Sequence, residues 1–320
     1  MAFTFISAVL LVLASATCLA QQYPSKPIRA IVPFPPGGSA DVAARLISQE
    51  VSRTFSQPVV VDNRAGVAGN LGAELVAKAA PDGYTFLYGI GSVITTNPWL
   101  YKDMRFDPMK DLMPVRLTNA GGGFILVAPS QAPFNNLKEF LAYARKNPGK
   151  LNFGSYGSGS SVHLVMEMMK GQGKLYLTHI PYRGAAPAMT GLLGQQVDVM
   201  FDTLINSAPH IRSGKLKALA VSTAQRMPLL PDVPALSESF PGFEAEGWHG
   251  VFLPNGTPRD IALRLNDAVG KALATPELEK WLKDNGLKPG MLAMEDFATM
   301  VRTDHARWGK VVRDGQITPD

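Results

Sequence analysis

Apolar and polar positions follow two rhythms along the chain, and the switch between them recurs. Pro27 to Phe34 is a β-type run containing Ile28, Ala30, Ile31 and Val32. Pro35-Pro36-Gly37-Gly38-Ser39 breaks it, with Ser39 placed to cap a helix. Val42 and Leu46, then Ala43, Ile47, Val51 and Phe55, follow at helical spacing. Pro58 to Asp62 holds three consecutive valines, the pattern of a strand buried on both faces. The loop Asn63-Arg64-Ala65-Gly66-Val67-Ala68-Gly69 opens a helix with Leu71, Leu75 and Val76. Pro81-Asp82-Gly83 makes a turn, and Tyr84 to Ile90 is the next strand, ending at Gly91-Ser92.

The rhythm restarts after Gly121-Gly122-Gly123. Phe124 to Ala128 reads as a strand; Leu137, Phe140, Leu141 and Ala144 mark a helix that stops at Asn147-Pro148-Gly149. Leu151 to Gly154 is a short strand, and the loop through Ser160 opens a helix with Val162, Val165, Met166 and Met169. Further strands are expected at Leu177 to Pro181, Val197 to Phe201, Leu216 to Ser222 and Gly250 to Leu253, with a helix from Pro187 to Leu193. Four prolines crowd residues 228–241, which reads as a meandering surface segment. Three helices close the chain, the last carrying Phe297, Val301, Trp308 and Val312. The alternation predicts an α/β protein of two lobes, each a mostly parallel sheet flanked by helices. The last three helices have no strands between them and are expected to return to the first lobe. That gives lobe 1 as 21–122 and 248–320, lobe 2 as 123–247, and two chain crossings between them. The glycines at 121–123 and the segment from Gly247 to Gly250 fall at these crossings and are candidate hinges.

One apolar stretch precedes this pattern. Phe3 to Leu13, followed by Cys18-Leu19-Ala20 and polar Gln21-Gln22, reads as a secretory signal cut after Ala20 and places the mature chain outside the cytoplasm. The n-region lacks Lys and Arg, and Cys18 leaves a lipid anchor open, although Ser15-Ala16-Thr17 is a poor lipobox. Cutting there removes the chain's single cysteine, which excludes disulfide scaffolds, zinc ribbons and thiol nucleophiles. The net charge of +5 comes without any run of five Lys/Arg, so no nucleic-acid partner is expected. A mild positive charge does suit an anionic small ligand.

The catalytic signatures G-x-S-x-G, G-x-x-x-x-G-K-S/T and G-x-G-x-x-G are absent. His163, His179, His210, His249 and His305 stand far apart without metal-ligand spacing, so neither metal nor cofactor is expected. Three Gly/Ser loops instead each end a strand and begin a helix: Pro36 to Ser39, Ala65 to Gly69 and Gly157 to Ser161. A helix start offers unpaired N–H groups and a positive dipole end, and glycine lets an anion approach them. In an open α/β sheet such loops share the carboxyl edge where ligands bind. Several residues admit two readings. His163 either donates to a ligand or holds its own loop. Asp202 either binds a ligand or caps the helix beginning near Leu204. Asp41 either favours its helix dipole or meets a ligand. Arg183, next to Tyr182, is a ligand cation or a surface residue. Phe34 covers a ligand or packs at a strand end. The group Met166, Met168 and Met169 reads as core.

Tyr23-Pro24-Ser25-Lys26-Pro27-Ile28 and Val32-Pro33-Phe34-Pro35-Pro36-Gly37-Gly38 resemble the start of the Bug family of periplasmic solute receptors, which serve tripartite tricarboxylate transporters. The resemblance continues through Asp62-Asn63-Arg64-Ala65-Gly66, Pro81-Asp82-Gly83-Tyr84-Thr85, Gly157-Ser158-Gly159-Ser160-Ser161-Val162-His163-Leu164 and Pro181-Tyr182-Arg183-Gly184. It extends to Gly194-Gln195-Gln196-Val197-Asp198 and Phe201-Asp202, and so spans the mature chain in order. It implies a two-lobed Venus flytrap fold without catalytic activity. It implies a small carboxylate ligand, transporter permease subunits as partners and a monomeric state. First-lobe contacts would come from Phe34, Gly38, Ser39, Asp41, Ala65, Gly66 and Ser92. Second-lobe contacts would come from Gly157, Ser158, Ser160, Ser161, Tyr182 and Asp202. Gly66-Val67-Ala68-Gly69 is poorer in glycine than the family's loop, and Tyr156 is large enough to narrow the pocket. A same-fold receptor that regulates a sensor is the alternative; a secreted hydrolase is a more distant one.

Overall fold

The computed structural model describes residues 23–314 and 317–318. The expected signal, its cut after Ala20 and Cys18 lie outside the described residues. Strand β1 (Ile28–Val32) leads through α1 (Ser39–Phe55) to β2 (Val59–Asn63) and through α2 (Asn70–Ala77) to β3 (Thr85–Ile90). Both neighbours of β1 are parallel to it. Ile28 and Ala30 to Val32 are buried because helices cover both faces, while Arg29 near the strand's start is exposed. Ala30 and Val32 pack with Ala43 and Ile47 of α1, while Ile31 and Leu87 pack with Ala73 and Val76 of α2. Helix α1 begins at Ser39 with Gly38 as its N-cap, so Ser39 is the first helical residue and not the cap.

A π-helical turn (Ser92–Thr96) and short helices α3 (Asn97–Leu100) and α4 (Pro108–Asp111) follow. Strand β4 then runs for 18 residues, Leu112–Pro129. The sequence pattern predicts only its second part, because Thr118, Asn119 and the glycines interrupt the apolar run. Those two polar side chains are nonetheless buried, and both donate to the Tyr88 hydroxyl, at 3.1 and 3.2 Å. The second set of elements comprises α5 (Leu137–Lys146), β5 (Asn152–Ser155), α6 (Ser161–Gly173), β6 (Thr178–Pro181), α7 (Ala185–Leu193), β7 (Val199–Thr203), α8 (Leu204–Arg212) and β8 (Leu216–Val221). Strand β9 (Glu246–Pro254), α9 (Arg259–Leu273), α10 (Pro276–Asp284), β10 (Lys288–Pro289) and α11 (Met294–Asp314) complete it. The terminal helices are therefore not free of strands: β10 pairs antiparallel with Asn119 and Ala120.

One sheet has the order β2-β1-β3-β9-β4, and the other continues from β4 through β7 and β5 to β6. Strand β4 belongs to both. Its first part pairs antiparallel with β9, and from Phe124 onward it pairs with β7 and β8. The register shifts between Ala120 and Gly123, where β4 leaves one sheet for the other. In the second sheet Phe124 and Leu126 face one core with Phe153 and Val165, while Ile125 and Val127 face another with Ala188 and Leu192. Ala262 and Leu265 of α9 join the core around Ile28, and Phe297 and Val301 of α11 join that around Ile31.

Candidate ligand-binding site

Residues from both sheets line one cavity of about 940 Å3, the open space at its mouth included. Four helix starts reach it: Gly38, Ser39 and Ala40 of α1, Ser160 and Ser161 of α6, Ala185 and Ala186 of α7, and Thr203, Leu204 and Ile205 of α8. Ser160 and Thr203 hold the N-cap positions of α6 and α8, yet neither hydroxyl caps its helix. Ser160 Oγ and Thr203 Oγ1 are buried with no hydrogen-bond partner among the described residues. Leaving such a group unmatched costs about 1–3 kcal/mol, so the site is chemically incomplete without a ligand or solvent.

The helix starts are electrostatically unequal. The first turns of α6, α7 and α8 contain no acid, whereas α1 carries Asp41. The Asp41 carboxylate accepts from Gly37 N–H at 3.0 Å and Asn63 Nδ2 at 2.9 Å, and pairs with Arg45 at 2.9 Å. Burial pushes its carboxyl up, but the Arg45, Gly37 and Asn63 contacts outweigh this and hold it below the usual range. The positive end of α1 is thus already matched by a charge of its own chain. Among the described residues, no Lys, Arg, Asp or Glu lines the cavity.

The remaining wall is mostly apolar. Phe34, Ile90, Phe124, Tyr156, Trp248 and Leu287 contribute to it, with Ser92, Asn119, His249 and Asn285 as polar points. Trp248 donates its indole N–H to Asp304 at 2.9 Å and meets Phe297 edge-on at 5.6 Å, so its ring is fixed from α11. Burial pushes the His249 imidazole down to about 4, which keeps it neutral at physiological pH. Its Nδ1 lies 3.3 Å from Asn119 Nδ2, a donor, so Nδ1 accepts and Nε2 carries the proton. Across the cavity mouth, a Cβ on Gly184 would come within 2.9 Å of Pro35, so the loops of the two sheets touch.

Of the residues expected at a site, Phe34, Gly38, Ser39, Ser92, Ser160 and Ser161 line this cavity. Asp41, Ala65, Gly66, Gly157, Ser158, Tyr182 and Asp202 are not among its lining. Ala65 is exposed, and Gly66 sits beside Leu71. Gly157 accepts from the Ser160 N–H at 3.0 Å, and the Ser158 carbonyl accepts from Tyr101. The Tyr182 hydroxyl donates to Gln196 at 3.2 Å. Asp202 is fully buried and accepts from Tyr156, Ser207, Asn206 and the Thr203 N–H. It therefore anchors Tyr156, which itself lines the cavity, and the side chains of Asn206 and Ser207 in α8, without accepting any N–H of that helix's first turn. His163 Nδ1 accepts the Gly159 N–H at 3.1 Å, so this imidazole holds its own loop.

Sequence reasoning missed Thr203, Asn119, Trp248, His249 and the start of α7. A hydroxyl directly after Asp202 and just before an apolar helix was the one available signal for Thr203. The residues of β4 and β9 had no such signal, because only strand pairing brings them under the loops.

The profile of the tripartite tricarboxylate transporter family receptors, TctC, matches residues 43–317. The chain belongs to this family. A protein in the tcbD-tcbE intergenic region of Pseudomonas sp. (strain P51) is 40% identical over 292 residues, 91% of this chain and 86% of that one. The solved periplasmic binding protein BugD is 34% identical with a TM-score of 0.88, covering 93% of this chain and 100% of its own. An R. palustris protein solved with adipate is also 34% identical, with a TM-score of 0.89 and the same coverage of 93% and 100%. The fold is thus the two-lobed one of periplasmic binding proteins, and TctC-family proteins are transporter receptors.

Proposed function

We propose that the chain captures a small carboxylate between its lobes and delivers it to the membrane subunits of a tripartite transporter. The observation that carries this reading is the pair of buried, unpartnered hydroxyls, Ser160 Oγ and Thr203 Oγ1, set at helix starts that converge on one cavity. Backbone N–H groups, hydroxyls and helix dipoles suffice to hold an anion without a lysine or arginine. Adipate in the R. palustris relative supports a carboxylate. The same geometry argues for binding and not catalysis, since among the described residues neither hydroxyl has a base within hydrogen-bonding reach. We further propose a periplasmic, monomeric receptor, cut after Ala20, with lobes at 21–122 plus 248–320 and 123–247.

Mass spectrometry of the ligand released from chain purified out of its native periplasm tests the reading directly. A carboxylic acid is the expected result. A melting screen over mono- and dicarboxylates provides the second test. A ligand at one hundred times its dissociation constant adds about 2.7 kcal/mol of stability. No shift with any carboxylate would overturn the proposal.

A further inference from the structure

The cavity is asymmetric, and the asymmetry bears on how many charges its occupant carries. The starts of α6 and α7 have no acid in or directly before their first turn, whereas the buried Asp202 directly precedes the N-cap of α8 and accepts from the Thr203 N–H. Ser160, the N-cap of α6, carries one unpartnered hydroxyl and Thr203, the N-cap of α8, the other. The starts of α6 and α7, with the Ser160 hydroxyl, form one anion site on the side of the second sheet. The start of α1 carries an acid of its own. Asp41 lies in its first turn, only 4% exposed, and takes the Gly37 N–H and the Arg45 guanidinium. Its negative charge opposes any second anion brought to that end.

Among the described residues, the remaining lining holds no cation and no further helix start of eight residues or more. Ile90, Phe124, Trp248 and Leu287 are apolar, and the polar points Ser92, Asn119, His249 and Asn285 are uncharged. Moving a second carboxylate from water to such a wall carries a desolvation cost that no cation there offsets. An apolar body, by contrast, gains from leaving water and from the Trp248 and Phe124 rings.

Resting on the carboxylate reading above, we propose that this site selects a carboxylate of a single charge with an apolar body, and discriminates against dicarboxylates. The carboxylate sits at the starts of α6 and α7, beside the Ser160 hydroxyl, and the body lies against Phe124 and Trp248. His249 Nε2–H is the donor available to a neutral acceptor on that body.

Calorimetry on the mature chain, with two matched pairs and one neutral control, tests this. The pairs are benzoate with terephthalate and hexanoate with adipate; the control is benzamide. The monocarboxylate of each pair is expected to bind more tightly by about tenfold or more. Adipate or terephthalate binding as tightly as its partner would overturn the single-charge proposal while leaving the receptor reading intact. Benzamide binding as tightly as benzoate would instead overturn the carboxylate reading. Failure of all five compounds to bind would overturn both. Asp41→Asn supplies a second arm, since asparagine can still accept from Gly37 N–H. Removing the charge is expected to raise terephthalate affinity by a larger factor than benzoate affinity. Equal factors would overturn the role assigned to Asp41.

Discussion

At the scale of single residues, the site depends on donors left unmatched by the protein itself. Ser160→Ala and Thr203→Val each remove one buried hydroxyl without opening a large cavity. Each is expected to weaken carboxylate binding by about 1–3 kcal/mol, read by calorimetry, because a buried anion then lacks one donor. Fold stability should hold or rise slightly in the absence of ligand, since the unmatched group is gone. His249 governs a different observable. Its folded imidazole is held at about 4 against an ordinary 6.5, so between those values the unfolded chain binds more protons. The stability it contributes is full above pH 6.5 and is lost as pH falls toward 4, amounting to about 3 kcal/mol in all. Denaturation midpoints of the wild type and His249→Gln measured across that window should converge as the pH drops. Parallel curves would refute the assignment.

At the scale of elements, the loop between β2 and α2 stores strain. Val67 has φ of 47° and Ala68 of 50°, both in the left-handed region that non-glycine residues avoid. Val67 is 61% exposed, so packing does not explain its choice. The Ala68 carbonyl accepts from Asn97 at 3.1 Å, which ties the loop to α3 and helps hold this conformation. Left-handed backbone costs roughly 1–2 kcal/mol for an L-residue, and glycine's extra unfolded entropy gives back about 0.5–1. Val67→Gly is therefore expected to stabilise the fold by about 0.5–1 kcal/mol in chemical denaturation. A loss of stability there would show that the valine side chain makes a compensating contact. The departure from a glycine-rich loop is plain in the sequence, whereas its energetic sign needs the backbone angles.

At the scale of the whole molecule, both passages between the sheets run through paired strands. Gly121 has φ of 79° and Gly122 faces Leu287 where β4 shifts register against β9. A ligand touching both lobes favours the closed arrangement by its differential affinity. We place the hinge at this bulge and expect small-angle scattering to give a smaller radius of gyration with saturating ligand. Gly122→Pro should weaken that compaction. Identical profiles with and without ligand would mean a receptor that is rigid and already closed.

Local patterning alone determined the β-α-β order and the Gly/Ser loops at helix starts, because these follow from residue periodicity and from glycine and serine at turns. The three valines of β2, expected to be buried on both faces, instead form an edge strand with Val60 53% exposed, because only the sheet order decides which strand has a neighbour on each side. Local patterning also carried the family resemblance. Periodicity failed where burial depended on a distant partner. Thr118 and Asn119 look like loop residues until the Tyr88 hydroxyl accepts from both. Asp202 looks free to meet a ligand until Tyr156, Asn206 and Ser207 occupy it. Trp248 and His249 join the site only because β9 pairs with both β3 and β4 and so carries them to the cavity. Which helix start keeps its positive end free was likewise a tertiary decision. Asp41 was visible in the sequence, but the Asn63 amide and the Gly37 N–H that hold its charge beside α1 reach it only through the folded chain.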